Sequence, residues 1–370
     1  MPFDFSAGAK NQLLINPRLS DVERNSIIEL QNEFEKKFGG TDYFLVPSSG
    51  SSKKFDESVK LICLHRDAVL NSARRFNSYF TAGPENHWGL VLPKFHVAGL
   101  GTYARAHLSG AKVFENETEP LINFISMVPA QVFDLVSKKK KPWPALKKVL
   151  VGAGWLNSEI KSQAITFGWP LFETYGMTET ASMVAIKQND VLTALPGVDF
   201  ETENKYLKIK CNSLLTAIIQ KKQNGIQISQ PVKEGFYLSE DLAEVSGDQL
   251  ILKGRATEFI KILGEGVSIA ELKEIFEVLA IKRSIPAIRA VLLPVEQKRR
   301  GYDLILAVEK SVDSETIKQV VQEFNQKVRP YEKIQRTVAV QRIPHSELGK
   351  IKTQELKELV LQTMQAENSK

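Results

Sequence analysis

The chain has 370 residues, 43% of them hydrophobic and 25% charged, with a formal net charge of +6. That length fits two or three domains, and that composition excludes a disordered chain. Two cysteines, Cys63 and Cys211, outside any CxxC, and five histidines without HExxH spacing argue against a disulfide framework or a zinc site.

No apolar run reaches the length of a membrane span, and Met1-Pro-Phe-Asp-Phe-Ser lacks the pattern of a signal peptide, so a cytoplasmic protein without a membrane partner is expected. Lysine and arginine are spread along the chain. The one dense run, Lys138 to Lys141 with Lys147 and Lys148 after it, has few interleaved aromatics and reads as a solvated helix end and loop. No nucleic-acid partner is expected, whereas a mild positive excess suits anionic small molecules such as nucleotides and carboxylates. Nothing in the sequence sets an oligomeric state.

In chain order, residues 1–40 read as helical, with Ser20-Asp21 as an N-cap and Ile27, Ile28, Leu30 and Phe34 near helical spacing. Asp42–Pro47 reads as a short buried strand running into the polar, basic loop Ser48-Ser-Gly-Ser-Ser-Lys-Lys54. A helix over 67–80 follows, then a strand at Gly89–Pro93, a helical stretch to about Ser109 and a strand at 111–114. Strands at 125–129, 149–151 and 170–173 alternate with helices at 130–137 and 157–167, which predicts an α/β architecture with substantial parallel sheet. From about 198 to 253 the helical pattern fades into alternating apolar runs such as Tyr206–Lys210, predicting a β-rich subdomain. After Gly254-Arg255, helices at 270–280, 313–328 and 353–366 surround strands near 288–293, 303–309 and 337–341, an α+β pattern. The predicted division is therefore a large domain over 1–255 and a small C-terminal domain over 256–370.

Four segments carry candidate chemistry. In the loop 48–54, backbone N–H groups freed by Gly50, four hydroxyls and two lysines can cradle a polyphosphate, although the Walker A spacing is absent. In Phe172-Glu-Thr-Tyr-Gly-Met-Thr-Glu179, Tyr175 can stack on a base and Gly176 permits close backbone approach. Thr178 can donate to a phosphate and Glu179 can hold Mg²⁺. In Gly235-Phe-Tyr-Leu-Ser-Glu-Asp241, followed thirteen residues later by Gly254-Arg255, Asp241 can accept both ribose hydroxyls and Arg255 can reinforce that grip. The fourth, Arg342-Ile-Pro-His-Ser-Glu-Leu-Gly-Lys350-Ile-Lys352, places a lysine in a C-terminal loop. Gly99-Leu-Gly-Thr-Tyr-Ala104 also fits GxGxxG/A, but inside a helical stretch and not in a turn after a strand, which argues against a dinucleotide fold.

In order and spacing these four segments resemble the adenylate-forming acyl-CoA ligase superfamily, with the likeness running from residue 42 to the end. Within it the chain is most similar to the o-succinylbenzoate–CoA ligases of menaquinone biosynthesis. Leu92-Pro-Lys-Phe-His-Val-Ala-Gly-Leu100 with Arg105, Met127–Gln131, Leu150–Gly154, Gly264-Glu-Gly266 and Gly349–Lys352 carry that likeness. The resemblance implies a large domain with mixed and parallel sheets and a small mobile α+β domain. It implies ATP and Mg²⁺ as cofactors and coenzyme A as co-substrate.

It also implies roles for residues. Lys350 bridges the attacking carboxylate and the α-phosphate. Glu179 holds Mg²⁺, while Thr178 with Ser48, Ser49, Gly50, Ser51, Ser52 and Lys53 holds the phosphates. Gly152, Ala153 and Gly154 with Glu173, Thr174, Tyr175 and Gly176 frame adenine, and Asp241 and Arg255 hold ribose. His96 lies beside the acyl group, Arg105 meets a second substrate carboxylate, and Gly264 and Gly266 approach coenzyme A.

The chain departs from the family pattern in four places. The loop 48–55 lacks the second glycine and the proline, Ser239-Glu240-Asp241 replaces Thr-Gly-Asp, the hinge position is Thr257, and only 47 residues precede the phosphate loop. Another acyl- or aryl-CoA ligase and a non-catalytic AMP- or acyl-binding relative are the alternatives these departures keep open.

Overall fold

The computed structural model describes residues 2–49, 59–115, 120–188, 191–222, 224–283, 285–286, 288–346 and 351–368. Helix Asp21–Phe38 opens at Ser20, whose hydroxyl caps the Glu23 amide while the Glu23 carboxylate returns to the Ser20 amide. Residues 1–40 are thus helical only in their second half. Ahead of the helix, Gln12–Leu13 pairs in parallel with Phe44 and Leu45, so an edge strand replaces the expected helix start. The helix buries Ile27, Leu30 and Phe34 against Leu45, Leu61, Cys63 and Ile219 of a five-stranded sheet. That sheet runs in the order Gln12–Leu13, Tyr43–Ser49, Val59–His65, Ala217–Lys222, Gly225–Ser229.

A second, twelve-stranded sheet among the described residues carries the site. One half is parallel: His87–Gly89, Val113–Phe114, Ile122–Met127, Lys148–Val151 and Leu171–Met177. Helices Pro129–Ser137 and Ser158–Thr166 form the crossovers between its strands, and Asn157 caps the second by accepting from the Glu159 and Ile160 amides. From Leu171–Met177 the sheet turns antiparallel through Ser182–Gln188, Val191–Ala194, Gln249–Arg255, Phe236–Ser246, Tyr206–Lys210 and Asp199–Glu203. The strand expected at Gly89–Pro93 stops at Gly89. Helix Val97–Ser109 follows Pro93–His96 so closely that a Cβ at Gly99 would strike the Pro93 carbonyl and the Lys94 backbone. Gly99 is therefore a packing glycine within a helix.

After Arg255 the cores separate. One apolar cluster runs from Ile260 to Ile334 and another from Val291 to Val360, both built on the three-stranded sheet Ala290–Gln297, Gly301–Glu309, Ile334–Val340 and its helices Ile269–Lys282, Ser314–Lys327 and Thr353–Asn368. Ala270, Lys273 and Ile281 form one stripe of helix Ile269–Lys282 that faces the preceding part of the chain. Gly254 lies against Ala270, Lys273 pairs with Glu258 at 3.2 Å, and Ile281 packs on the core around Trp169. No helix among the described residues is long and apolar enough to cross a membrane.

Candidate active site

The Leu171–Met177 strand is the pivot of the site, because it has a parallel neighbour on one side and an antiparallel neighbour on the other. The carboxyl ends of parallel strands are where open α/β sheets bind ligands. At that end a bulge between Tyr175 and Gly176 brings the backbone onto the next strand. A Cβ at Gly176 would collide with the Ser182 carbonyl and the Met183 backbone, so the close approach requires glycine. Ala181 and Ser182, at φ +52° and +113°, sit in the left-handed region on the opposite side of the same contact. Such conformations are held only when neighbours over-determine them; here the Thr180 hydroxyl donates to the Ser182 carbonyl at 2.6 Å.

Tyr175 projects its phenol onto Asp241, donating to Oδ2 at 2.6 Å, and Arg255 donates through Nε to Oδ1 at 3.1 Å. Asp241 and Arg255 are cross-strand partners in the Phe236–Ser246/Gln249–Arg255 ladder, which is why a spacing of about fourteen residues in sequence yields contact. Burial, then the Asp241 charge, pushes the Tyr175 phenol well above its usual range, so it remains a donor at every physiological pH. Burial opposes the Arg255 charge, but Asp241 and Glu240 outweigh it and the guanidinium is held more firmly protonated.

Glu179 lies on the same side. Burial raises its carboxyl above the usual range, against the pull of Lys60 and Arg255. Tyr237, also pushed up by burial, feels Glu179, Glu240 and Asp241 in that order. Lys60 pairs with Glu240 at 3.5 Å, and it stands opposite Ser48 in the strand pair whose ladder ends at Ser49–Val59. The strand end at Ser48 and Lys60 therefore adjoins the Glu240–Asp241 part of strand Phe236–Ser246. Gly50, Ser51, Ser52 and Lys53 lie outside the described residues, as does Lys350. The residues flanking Lys350, His345 and Ile351, pair in an antiparallel bridge.

Gly152, Ala153 and Gly154 leave the end of Lys148–Val151 and run beside Thr174; a Cβ at Gly152 would stand 2.9 Å from the Thr174 hydroxyl oxygen. Ala153 takes φ +66° in this turn. Glu173 is paired by Lys161 at 2.8 Å and Lys187 at 3.4 Å, a rim that local sequence gives no sign of, because its members come from a helix and two strands.

His96 is the N-cap residue of Val97–Ser109, its ring tilted against Phe95 at 4.8 Å. One face of the same helix holds Arg105, which is 3% exposed. Its guanidinium lies over Phe76 at 4.4 Å and Trp88 at 5.4 Å and donates from Nη2 to the Ser182 hydroxyl at 2.9 Å. Its Nε has no hydrogen-bond partner, and among the described residues no carboxylate pairs with it. Burial lowers its pKa to about 9. Gly264 sits at φ +88° in the two-residue turn, with Leu263, of the hairpin Phe259–Ile262/Glu265–Ser268, and Gly266 is the second residue of the return strand, opposite Lys261. That hairpin was not expected from the sequence, nor were the positions of Lys60, Ser182 and Lys187.

The known proteins it resembles agree with this architecture. Residues 59–210 match the AMP-binding enzyme family. In fold, in this match and in the relatives below, the chain is similar to the adenylate-forming ligases. Among its relatives, the 2-succinylbenzoate–CoA ligase of Escherichia coli is 30% identical over 71% of this chain and 59% of its own length, and that of Salmonella typhimurium 28% identical over 65% and 53%. Escherichia coli MenE with bound OSB-AMS superposes with a TM-score of 0.69 at 25% identity, over 85% of this chain and 68% of that one. The Bacillus subtilis o-succinylbenzoate coenzyme A synthetase in complex with ATP and magnesium superposes at 0.72 with 17% identity, over 93% and 83%. The chain thus spans less than two thirds of the length of these two ligases from enteric bacteria.

Proposed function

We propose that the chain is an ATP-dependent, AMP-forming carboxylate–CoA ligase, and that its substrate is o-succinylbenzoate or a closely similar aryl dicarboxylate. The observation that carries the substrate class is Arg105: a cation buried among rings, with one Nη2 hydrogen bond, an unpartnered Nε and no acidic partner among the described residues. A buried charge needs a counter-ion, and a guanidinium suits a carboxylate. A second substrate carboxylate supplies one.

In the first half-reaction a substrate carboxylate oxygen attacks the α-phosphorus of ATP, the bond to pyrophosphate breaks, and an acyl-adenylate forms. In the second, the coenzyme A sulfur attacks the acyl carbon and AMP leaves. The protein's part is positioning and charge neutralisation. Asp241, fixed by Tyr175 and Arg255, accepts from the ribose hydroxyls. Thr178 and the segment Ser48–Lys53 take the phosphates, and Lys350 bridges carboxylate and α-phosphate.

Glu179 suits the magnesium ion that accompanies ATP. No group of three ligating side chains occurs among the described residues, and Mg²⁺ is commonly held by one or two carboxylates plus substrate phosphates. A carboxyl strained by burial gains from such a cation. Bound there, the ion neutralises phosphate charge. The chain divides at 255/256, where residues 256–370 turn about Ala256–Glu258 between half-reactions, carrying Lys350 away and Gly264–Gly266 toward coenzyme A. The test is ATP- and Mg²⁺-dependent pyrophosphate release over a panel of carboxylic acids. Release with o-succinylbenzoate, followed by thioester formation, is expected; no turnover with any acid refutes the assignment.

A further inference from the structure

We propose that Trp155 is a stacking platform for the adenine ring of ATP, which adds an indole face to the base site; this rests on the adenylation assigned above. Trp155 directly follows the Gly152–Gly154 turn that lies against Thr174, one residue before Tyr175. It is 56% exposed, whereas Trp88 and Trp169 are buried in the core. Its position is nonetheless fixed. Leu156 after it is buried and Asn157 caps the next helix, so the backbone is held on the C-terminal side of the ring.

The ring itself is held by Lys187, whose ammonium stands 5.0 Å from its centroid. Lys187 is anchored in turn by Glu173 at 3.4 Å, and Glu173 by Lys161 at 2.8 Å. A large aromatic surface fixed in place yet open to solvent at the ligand-binding edge of a sheet signals a contact made with something else. Base–aromatic stacking is worth about 5- to 150-fold in affinity by truncation, and an open-faced ring falls toward the lower end, near tenfold.

Isothermal titration of AMP and steady-state kinetics on the Trp155→Ala and Trp155→Phe variants test this. In Trp155→Ala the AMP Kd and the ATP KM are expected to rise roughly tenfold, with kcat and the coenzyme A KM little changed, and Trp155→Phe should recover most of the loss. AMP should quench the intrinsic fluorescence of the wild-type protein, and that quenching should vanish in Trp155→Phe. If the wild type binds AMP and Trp155→Ala binds it equally well, stacking is overturned while adenylation stands. A raised KM for coenzyme A alone also overturns it, assigning the ring to the thiol co-substrate. Absence of AMP binding by the wild type overturns both.

Discussion

Replacing Arg105 by methionine separates a residue needed for the fold from one needed for the substrate. Burial costs the Arg105 cation roughly 5 kcal/mol, the equivalent of lowering its pKa to about 9. Against this stand two ring contacts, worth about 2 kcal/mol each when desolvated, and one charged hydrogen bond to Ser182 of about 1.5–3 kcal/mol. The two sides nearly cancel, so Arg105→Met should alter stability by less than about 2 kcal/mol. Loss of a buried charge partner for a bound carboxylate, in contrast, costs about 2–5 kcal/mol, or roughly 30- to 5,000-fold in kcat/KM. Pyrophosphate release is compared for o-succinylbenzoate and for 4-oxo-4-phenylbutanoate, which lacks only the ring carboxylate. The variant should lose activity on the first and keep it on the second. Equal losses on both, or a destabilisation above about 3 kcal/mol with an unchanged substrate ratio, would show Arg105 to be a structural cation and refute the reasoning.

Two further outcomes follow from the same geometry. Lys350→Ala should abolish adenylation while sparing thioester formation from a supplied acyl-adenylate, measured separately as pyrophosphate release and acyl-CoA yield; equal loss of both would disprove its assigned role. Glu277 continues the stripe of Ala270, Lys273 and Ile281, and burial raises its carboxyl from 4.5 to about 7. Between those values the folded state holds a proton that the unfolded state has released, so stability falls as pH rises from 4.5 to 7 and stays lower above it. Glu277→Gln should therefore raise stability at pH 8 by up to about 3 kcal/mol and leave it unchanged at pH 4, read as the urea midpoint at each pH.

Much of the molecule was legible before the structure. Helices Asp21–Phe38, Arg66–Phe80 and Ser314–Lys327 carry their boundaries in capping residues and apolar spacing, which are local properties. The edge strand Gln12–Leu13 and the hairpin Phe259–Ser268 were not, because two to four residues give too little periodicity. The placement of Asp241 beside Arg255 needed only a hairpin. Its contact with Tyr175, sixty-six residues earlier, needed the tertiary path of the sheet, because three strands stand between Leu171–Met177 and Phe236–Ser246 in its order, and no local signal encodes that.

The sequence by itself determined the α/β and α+β character of the two halves, the motif order and the residue types available for nucleotide chemistry, since each depends on neighbours within a few positions. Tertiary structure alone decided which of those groups are buried and what they meet. Arg105 reads as one more helical arginine until Phe76, Trp88 and Ser182, from three separate segments, close around it. Lys161, Glu173 and Lys187 are ordinary charges until a helix and two strands bring them beneath an exposed indole. Burial and pairing are set by distances through space, which the packing of distant segments creates and no stretch of chain specifies alone.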